Sequence, residues 1–249
     1  MHVTAYKTKK ILPHDNLNAI LNQYLPQLEE KSVVIITSKI VSLCQGRVVR
    51  LSSSITKDEL IKREATYYID RTVSKYGYPI TINENMLVAS AGIDESNAAN
   101  HYVLWPKNPQ KTVNELWRYL RKKYGIKYLG VIISDSKVYP LRWGVVGAEI
   151  VHAGFEALND YRGTPDLFGH PLHVTQANVR DGLAGAAVLV MGEGKEQTPL
   201  AVITEVSFVK FQNRTPSKPE LANLHIEIAD DVFAPLLDSP LWKKGKGRK

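Results

Sequence analysis

Cysteine is almost missing from this chain: Cys44 is the only one in 249 residues. An internal disulfide is therefore excluded, which fits a reducing compartment. With Val41 and Leu43 beside it, Cys44 reads as a buried thiol and not as a nucleophile. No apolar run approaches the roughly 18 residues needed to span a bilayer. The opening residues, Met1 to Tyr6, carry no secretion-signal pattern, so the expected location is the cytoplasm. No Cys/His cluster has zinc spacing. The phosphate loop Gly-x-x-x-x-Gly-Lys-Ser/Thr is absent, as are Gly-x-Gly-x-x-Gly after the first strand, His-Glu-x-x-His and Gly-x-Ser-x-Gly. His14, His101, His152, His170, His173 and His225 are scattered among turns and strand ends, where surface or supporting positions are the default. There is no internal repeat.

What is present is an ordinary globular composition, 44% hydrophobic and 23% charged. The length suits one large domain or two closely packed lobes. The net charge is +7, but Lys243, Lys244, Lys246, Arg248 and Lys249 supply five of those charges in a tail without acids. The body is left at +2, which argues against specific nucleic-acid binding. The tail reads as a solvated end.

Strands are expected from Val3 to Lys7, Ser32 to Thr37, Leu129 to Ser134, Gly144 to Gly154 and Pro199 to Ile203. Asp15 is a candidate N-cap for a helix with Leu17, Ile20, Leu21, Tyr24, Leu25 and Leu28 on one stripe. Thr56-Lys57-Asp58-Glu59 has capping-box form and predicts a helix to about Val73. Tyr78 to Ile82 and Met86 to Ser90 alternate about Asn83-Glu84-Asn85, which reads as a hairpin. Val113 to Tyr124 is a helical stripe stopped at Gly125, and Thr175 is a candidate N-cap for a helix through Val190. One short helix is expected around Asp230 to Leu237. The fold class is mixed α/β, leaning α+β. The boundaries drawn are a main domain over 1–206, a C-terminal arm over 207–242 and the basic tail over 243–249.

The stretch Ser90-Ala91-Gly92-Ile93-Asp94-Glu95-Ser96-Asn97 follows an apolar run and packs two acids, a hydroxyl and an amide into four positions. Val131-Ile132-Ile133 runs likewise into Ser134-Asp135-Ser136. Asp94, Asp135 and Glu193 thus each stand beside a small or turn-forming residue at the end of an apolar element. Carboxylates with hydroxyl neighbours suit magnesium or manganese, which commonly arrive with nucleotide phosphates. Lys39, Asn97 and the Gly192–Gly194 backbone are candidate donors to phosphate or base.

These residues carry a resemblance. Thr37-Ser38-Lys39-Ile40-Val41-Ser42 with Gly46-Arg47, the Ala91–Asn97 stretch, Val131–Ser136, Gly163-x-x-Asp166-Leu167-x-Gly169 and Leu189–Gly194 occur in one order over roughly residues 5 to 206. In them the chain resembles the coenzyme F-420-0:L-glutamate ligase (gamma-glutamyl ligase) family, especially its bacterial folate-metabolism gamma-glutamate ligase branch. The resemblance implies a mixed α/β gamma-glutamyl ligase-like fold in an intertwined homodimer. It implies a GTP- or ATP-dependent ligase with two Mg2+ or Mn2+ ions per subunit, and in some members K+. Asp94 and Asp135 would hold one ion, with Ser136 and Glu193 at the second. Thr8, Lys9, Lys10, Ile11, Ser38, Lys39, Asn97, Gly192, Glu193 and Gly194 would line the nucleotide site. L-glutamate and a small carboxylate acceptor, F-420-0-like or folate-like, would be joined through an acyl phosphate.

Two positions depart from the family pattern. Leu43 stands where a lysine is usual, and Lys137-Val138-Tyr139 follows Asp135-Ser136, with Arg142 later. They keep open an alternative, a non-catalytic nucleotide-binding protein on the same scaffold.

Overall fold

The computed structural model describes residues 1–51 and 54–247. Its elements in order are β1 (His2–Tyr6), α1 (Leu17–Tyr24), β2 (Ser32–Thr37), α2 (Ser38–Cys44), β3 (Val48–Arg50), α3 (Lys57–Glu64), β4 (Tyr67–Ile69), β5 (Ile80–Asn83), β6 (Met86–Ala89), β7 (His101–Val103) and α4 (Pro109–Tyr124). There follow β8 (Leu129–Lys137), β9 (Val146–Ala153), β10 (Leu158–Asp160), β11 (Gln176–Asn178), α5 (Val179–Met191), β12 (Leu200–Thr204), α6 (Lys218–Ala222), α7 (Ala234–Leu237) and β13 (Lys243–Lys244). The fold is mixed α/β.

A five-stranded sheet in the order β1-β12-β2-β8-β9 forms the centre. Its β2–β8 pair is parallel and its other pairs are antiparallel. β2 shows why both faces are covered. Val34 and Ile36 join one core cluster with Leu21 and with Val113, Trp117 and Leu120 of α4. Val33 and Ile35, pointing the other way, join a second with Leu183, Ala184 and Ala187 of α5. A four-stranded sheet, β13-β4-β5-β6, lies beside α3 over a third cluster that includes Leu60, Ile61, Ala91 and Ile93.

The β5–β6 hairpin turns on Glu84 and Asn85, both left-handed (φ 48° and 59°), as a tight two-residue turn requires. Gly125 stops α4 at φ 65°. Several boundaries differ from the sequence expectation. Asn16, not Asp15, caps α1, its side chain accepting from the Ala19 N–H at 3.0 Å. Asp15 is spent on the preceding turn, accepting from the Leu12 N–H (3.0 Å) and pairing with Lys9 (3.1 Å). The capping box at Thr56 is present, but α3 ends at Glu64 and not near Val73. Tyr67, Tyr68 and Ile69 are better satisfied by pairing with Ile82, Thr81 and Ile80. Thr175 does not cap α5. Residues 176–178 pair with β10 first, and Asn178 is the cap. α6 adds a second short helix to the C-terminal arm.

The expectation of a solvated tail fails for its first residues. β13 pairs with β4, and Lys243 bonds to Asp70. The N–H groups of Gly245, Lys246 and Gly247 donate to the carbonyls of Thr66, Lys62 and Ala65. Arg248 and Lys249 lie outside the described residues.

Candidate functional site

The parallel pairing of β2 with β8 sets Thr37 opposite Ser134. The chain therefore reaches Ser38 and Lys39 at the same edge where β8 reaches Asp135 and Ser136. Ligands of open α/β sheets gather at this carboxyl edge of parallel strands. β8 does not stop at Ser134 as expected but continues to Lys137 along β9. Ile133 faces Val151 and Ser134 faces Glu149, so Ile150 is an extra residue, a bulge beside the two residues of interest.

Asp94 arrives from the other sheet. After β6 the backbone takes three left-handed residues in succession, Ser90, Ala91 and Gly92 (φ 55°, 53° and 73°). Such a corner needs outside support. The Ala91 N–H donates to the Thr81 hydroxyl (2.8 Å), Asn83 donates to the Ala91 carbonyl (3.0 Å) and the Ser90 N–H donates to the Pro79 carbonyl (2.9 Å). A Cβ on Gly92 would collide with the Trp105 indole, which occupies that space. The backbone of Asp94 then bridges to Val103 in both directions, at 3.0 and 2.7 Å.

The Asp94 carboxylate accepts from the N–H groups of Glu95 (2.6 Å) and Ser96 (2.8 Å) and from the Ser96 hydroxyl (2.9 Å). The Lys39 ammonium lies 2.5 Å from Oδ2, the oxygen that also accepts from the Ser96 hydroxyl. Burial works against the charge, but Lys39 and the Ser96 donors outweigh it and hold Asp94 below the usual carboxylate range. Asp135 goes the opposite way. Burial pushes its pKa up to about 6, against the pull of the Trp105 N–H, the Ser136 N–H and Lys39, and the neighbouring Asp94 charge adds to the rise. The two carboxylates feel each other and share Lys39 as counter-charge.

A second oxygen pair lies at the same end of β8. The Ser136 hydroxyl donates to the Glu193 carboxylate at 2.6 Å. Asn97 donates to the Gly194 carbonyl at 3.0 Å, and the Gly194 N–H donates to Glu196 at 2.8 Å. The 192–197 turn is thereby tied to the Asp94 loop, and the Thr8 N–H is tied to the Gln197 carbonyl (3.0 Å). Thr8 and Ser38 are buried. Lys9 turns outward to Asp15, Lys10 is exposed, and Ile11 packs beside Leu43 and Ala98. Leu43 is itself buried in that small cluster, so no cation stands there. Burial pushes the Cys44 thiol up to about 11, in keeping with an inert residue.

Among the described residues, no three His, Cys, Asp or Glu side chains are grouped closely enough to hold an ion. The oxygens come instead as two pairs, Asp94 with Asp135 and Ser136 with Glu193. This hard-oxygen donor set fits magnesium or manganese, which keep several waters and take phosphate oxygens as further ligands.

Two features escaped the sequence reading. Trp105, buried and bonded to Asp135, follows an apolar run with no spacing that marks it. His152 is buried and not superficial. Its Nδ1 lies 2.9 Å from Glu149, and Glu149 lies 3.3 Å from Arg180 of α5. This cluster braces β9 behind the bulge.

The fold is a mixed α/β domain that brings Asp94 and Asp135 together at the carboxyl edge of its parallel strands. Within it, residues 5–205 match the family model described as F420-0:Gamma-glutamyl ligase, and the chain belongs to that family. It is 36% identical over 214 residues to a coenzyme F420:L-glutamate ligase of Methanopyrus kandleri, covering 78% of this chain and 82% of that one. It is 32% identical over 221 residues to the enzyme of the same name from Methanocaldococcus jannaschii, covering 82% and 88%. A Methanococcus maripaludis relative of that name is 35% identical over 203 residues, covering 76% and 81%.

Proposed function

We propose that the protein is a GTP- or ATP-dependent ligase that joins L-glutamate to a carboxylate of an F-420-0-like or folate-like acceptor. The observation that carries this reading is the pairing of Asp94 with Asp135 across Lys39, at the sheet edge where the 192–194 turn also lies. Family membership supports the same reading.

In this account the terminal phosphate passes to the acceptor carboxylate. The P–O bond to the nucleoside diphosphate breaks as an acyl phosphate forms. The glutamate amine then attacks the acyl carbon, phosphate leaves, and the amine proton passes to solvent. Divalent cations at Asp94 and Asp135, and at Ser136 and Glu193, would supply neutralisation of phosphate charge. K+ is a further candidate. Lys39 would turn from Asp94 towards phosphate, Asn97 and the 192–194 backbone would orient the nucleotide, and Trp105 would hold Asp135 in place. No covalent enzyme intermediate is needed, in keeping with the inert Cys44. The product gains the mass of one glutamyl residue. Mass spectrometry of reactions with each acceptor and nucleotide tests this, and no such product under any pairing contradicts it.

The buried Leu43 favours a second reading, nucleotide binding without turnover. Nucleotide affinity together with the absence of any glutamylated product would favour it.

A homodimer belongs to the same proposal. Leu167 and Phe168, 99% and 85% exposed at the tip of the 158–178 hairpin, are surfaces that a second copy would cover. Sedimentation of the full chain at micromolar concentration tests that. No helix among the described residues is long and apolar enough to cross a membrane.

A further inference from the structure

We propose that the C-terminal arm and the docked start of the tail, residues 207–247, form a strap that positions Asp94, with Asn85 as the residue through which it acts. The inference rests on the reading of Asp94 as a site residue. It adds a role for a segment that lies beyond the 5–205 match to the family model.

Asp135 stands on β8 of the central sheet, whereas Asp94 hangs from the corner after β6 of the other sheet. The spacing of the two carboxylates therefore depends on how the sheets are held together. The arm bonds to both. At its start the Gln212 N–H donates to the Gly154 carbonyl at 2.8 Å, Phe211 pairs with Phe155, and Arg121 of α4 bonds to Asn213. Arg214 then holds Glu220 of α6 through contacts of 2.6 and 2.7 Å, and a capping box at Ser217 closes the same helix. At the far end the Asn85 amide, turned so that both of its groups are satisfied, donates to the Ile226 carbonyl (2.9 Å) and accepts from the Ile226 N–H (3.0 Å). Asn85 belongs to the β5–β6 turn, and Asn83, the last residue of β5, donates to the Ala91 carbonyl. Asp94 follows three positions after Ala91. The path from arm to carboxylate thus runs through Ile226, Asn85, Asn83 and Ala91. β13 braces the same sheet from its other edge, pairing with β4, which pairs with β5.

The hold is directional and not apolar. Among the described residues, none beyond Val209 is buried. The seam between the β5–β6 turn and the arm keeps a cavity of about 380 Å3, lined by Thr66, Asn83, Glu84, Asn85, His225 and Gly247. A segment that covers no core adds little hydrophobic stabilisation. Two hydrogen bonds to one amide, by contrast, fix the place of the turn. The corner needs that, because Ser90, Ala91 and Gly92 are all left-handed and must be held from outside. Asn83 faces both the cavity and the corner, so a turn released from Ile226 loosens the support of Ala91.

Asn85→Gly in the full chain separates the strap from the turn. Glycine adopts the left-handed φ of 59° without strain, so the turn is kept and only the bonds to Ile226 are lost. Hydrogen exchange of wild type and variant is followed by mass spectrometry. Exchange over residues 90–96 is expected to rise about tenfold, the factor for two lost hydrogen bonds, while β2 and β8 keep their protection. Where the wild type makes a glutamylated product, kcat is expected to fall by a similar factor. Asn85→Asp, which keeps an acceptor for the Ile226 N–H, is expected to recover part of both. Unaltered exchange at 90–96 in Asn85→Gly overturns the strap. A rise spread evenly over β2 and β8 also overturns it, because the arm is then a general stabiliser. A loosened corner with unchanged kcat overturns the positioning role and spares the ligase. If the wild type makes no product, a loosened corner in Asn85→Gly supports the strap while the ligase reading falls.

Discussion

The Trp105 indole donates its N–H to the Asp135 carboxylate while its ring fills the space that a side chain on Gly92 would need. One side chain thus ties the corner presenting Asp94 to the strand presenting Asp135. Gly92→Ala meets both a left-handed φ of 73° and the indole. It is expected to cost on the order of 2 kcal/mol in urea unfolding and to lower turnover more than tenfold. Unaltered turnover would show that Trp105 has no positioning role.

Trp105→Phe keeps most of the packing and removes the donor. The hydrogen bond pulls the Asp135 pKa down, so its loss should raise that pKa further. The acid limb of the pH–rate profile is expected to move upward, with little change in the thermal midpoint. A midpoint collapse without a shifted limb would make Trp105 merely structural.

Asp135 also links stability to pH. Its folded pKa of about 6 lies above the ordinary 3.8, so the folded chain binds this proton more tightly than the unfolded chain. The ionised carboxylate therefore destabilises the metal-free fold fully above about pH 6. That penalty shrinks as the pH falls through the window and is gone below about 4. Asp135→Asn should stabilise chelator-treated protein at pH 7.5, by about 1–3 kcal/mol, and have little effect at pH 4. Equal effects at both values would contradict the cause assigned to the shift.

Ser136 bonds to Glu193 near the surface, so Ser136→Ala should change stability by less than about 1 kcal/mol. If the hydroxyl serves a cation, manganese affinity and turnover fall tenfold or more, and Ser136→Thr restores both. Calorimetric titration of manganese distinguishes this from a structural bond, for which neither quantity moves.

The docked tail gives a contrast between side chain and backbone. Lys243→Ala removes a surface ion pair and should leave the melting temperature nearly unchanged. Deleting residues 243–249 removes a whole edge strand and its backbone bonds to residues 62–66, and should lower it by several degrees. If the deletion melts like the wild type, the strand does not stabilise the fold in solution.

The legible parts of the fold were those decided by local pattern. The continuous apolar run of β2 announces a doubly covered strand, and Glu84-Asn85 between alternating residues announces a hairpin. Boundaries set by distant pairing were hidden. Nothing local ends α3 at Glu64; Ile82 and Thr81 do so by drawing Tyr67 and Tyr68 into a sheet. The tail looked free because its partners, Lys62, Ala65, Thr66 and Asp70, lie far away in sequence. At the site, small residues followed by acids marked Asp94 and Asp135. Trp105 was invisible because its role depends on the close approach of Gly92, a tertiary fact.

Glutamate-dependent phosphate release bears most directly on the central claim. Wild-type protein is given manganese, GTP or ATP, and F-420-0 or folate, with and without L-glutamate. The account predicts sustained release only when all components are present, one phosphate per amide formed, and loss of turnover in a folded Asp94→Asn variant. No glutamate-dependent release with either nucleotide and either acceptor, or equal release from Asp94→Asn, would contradict it.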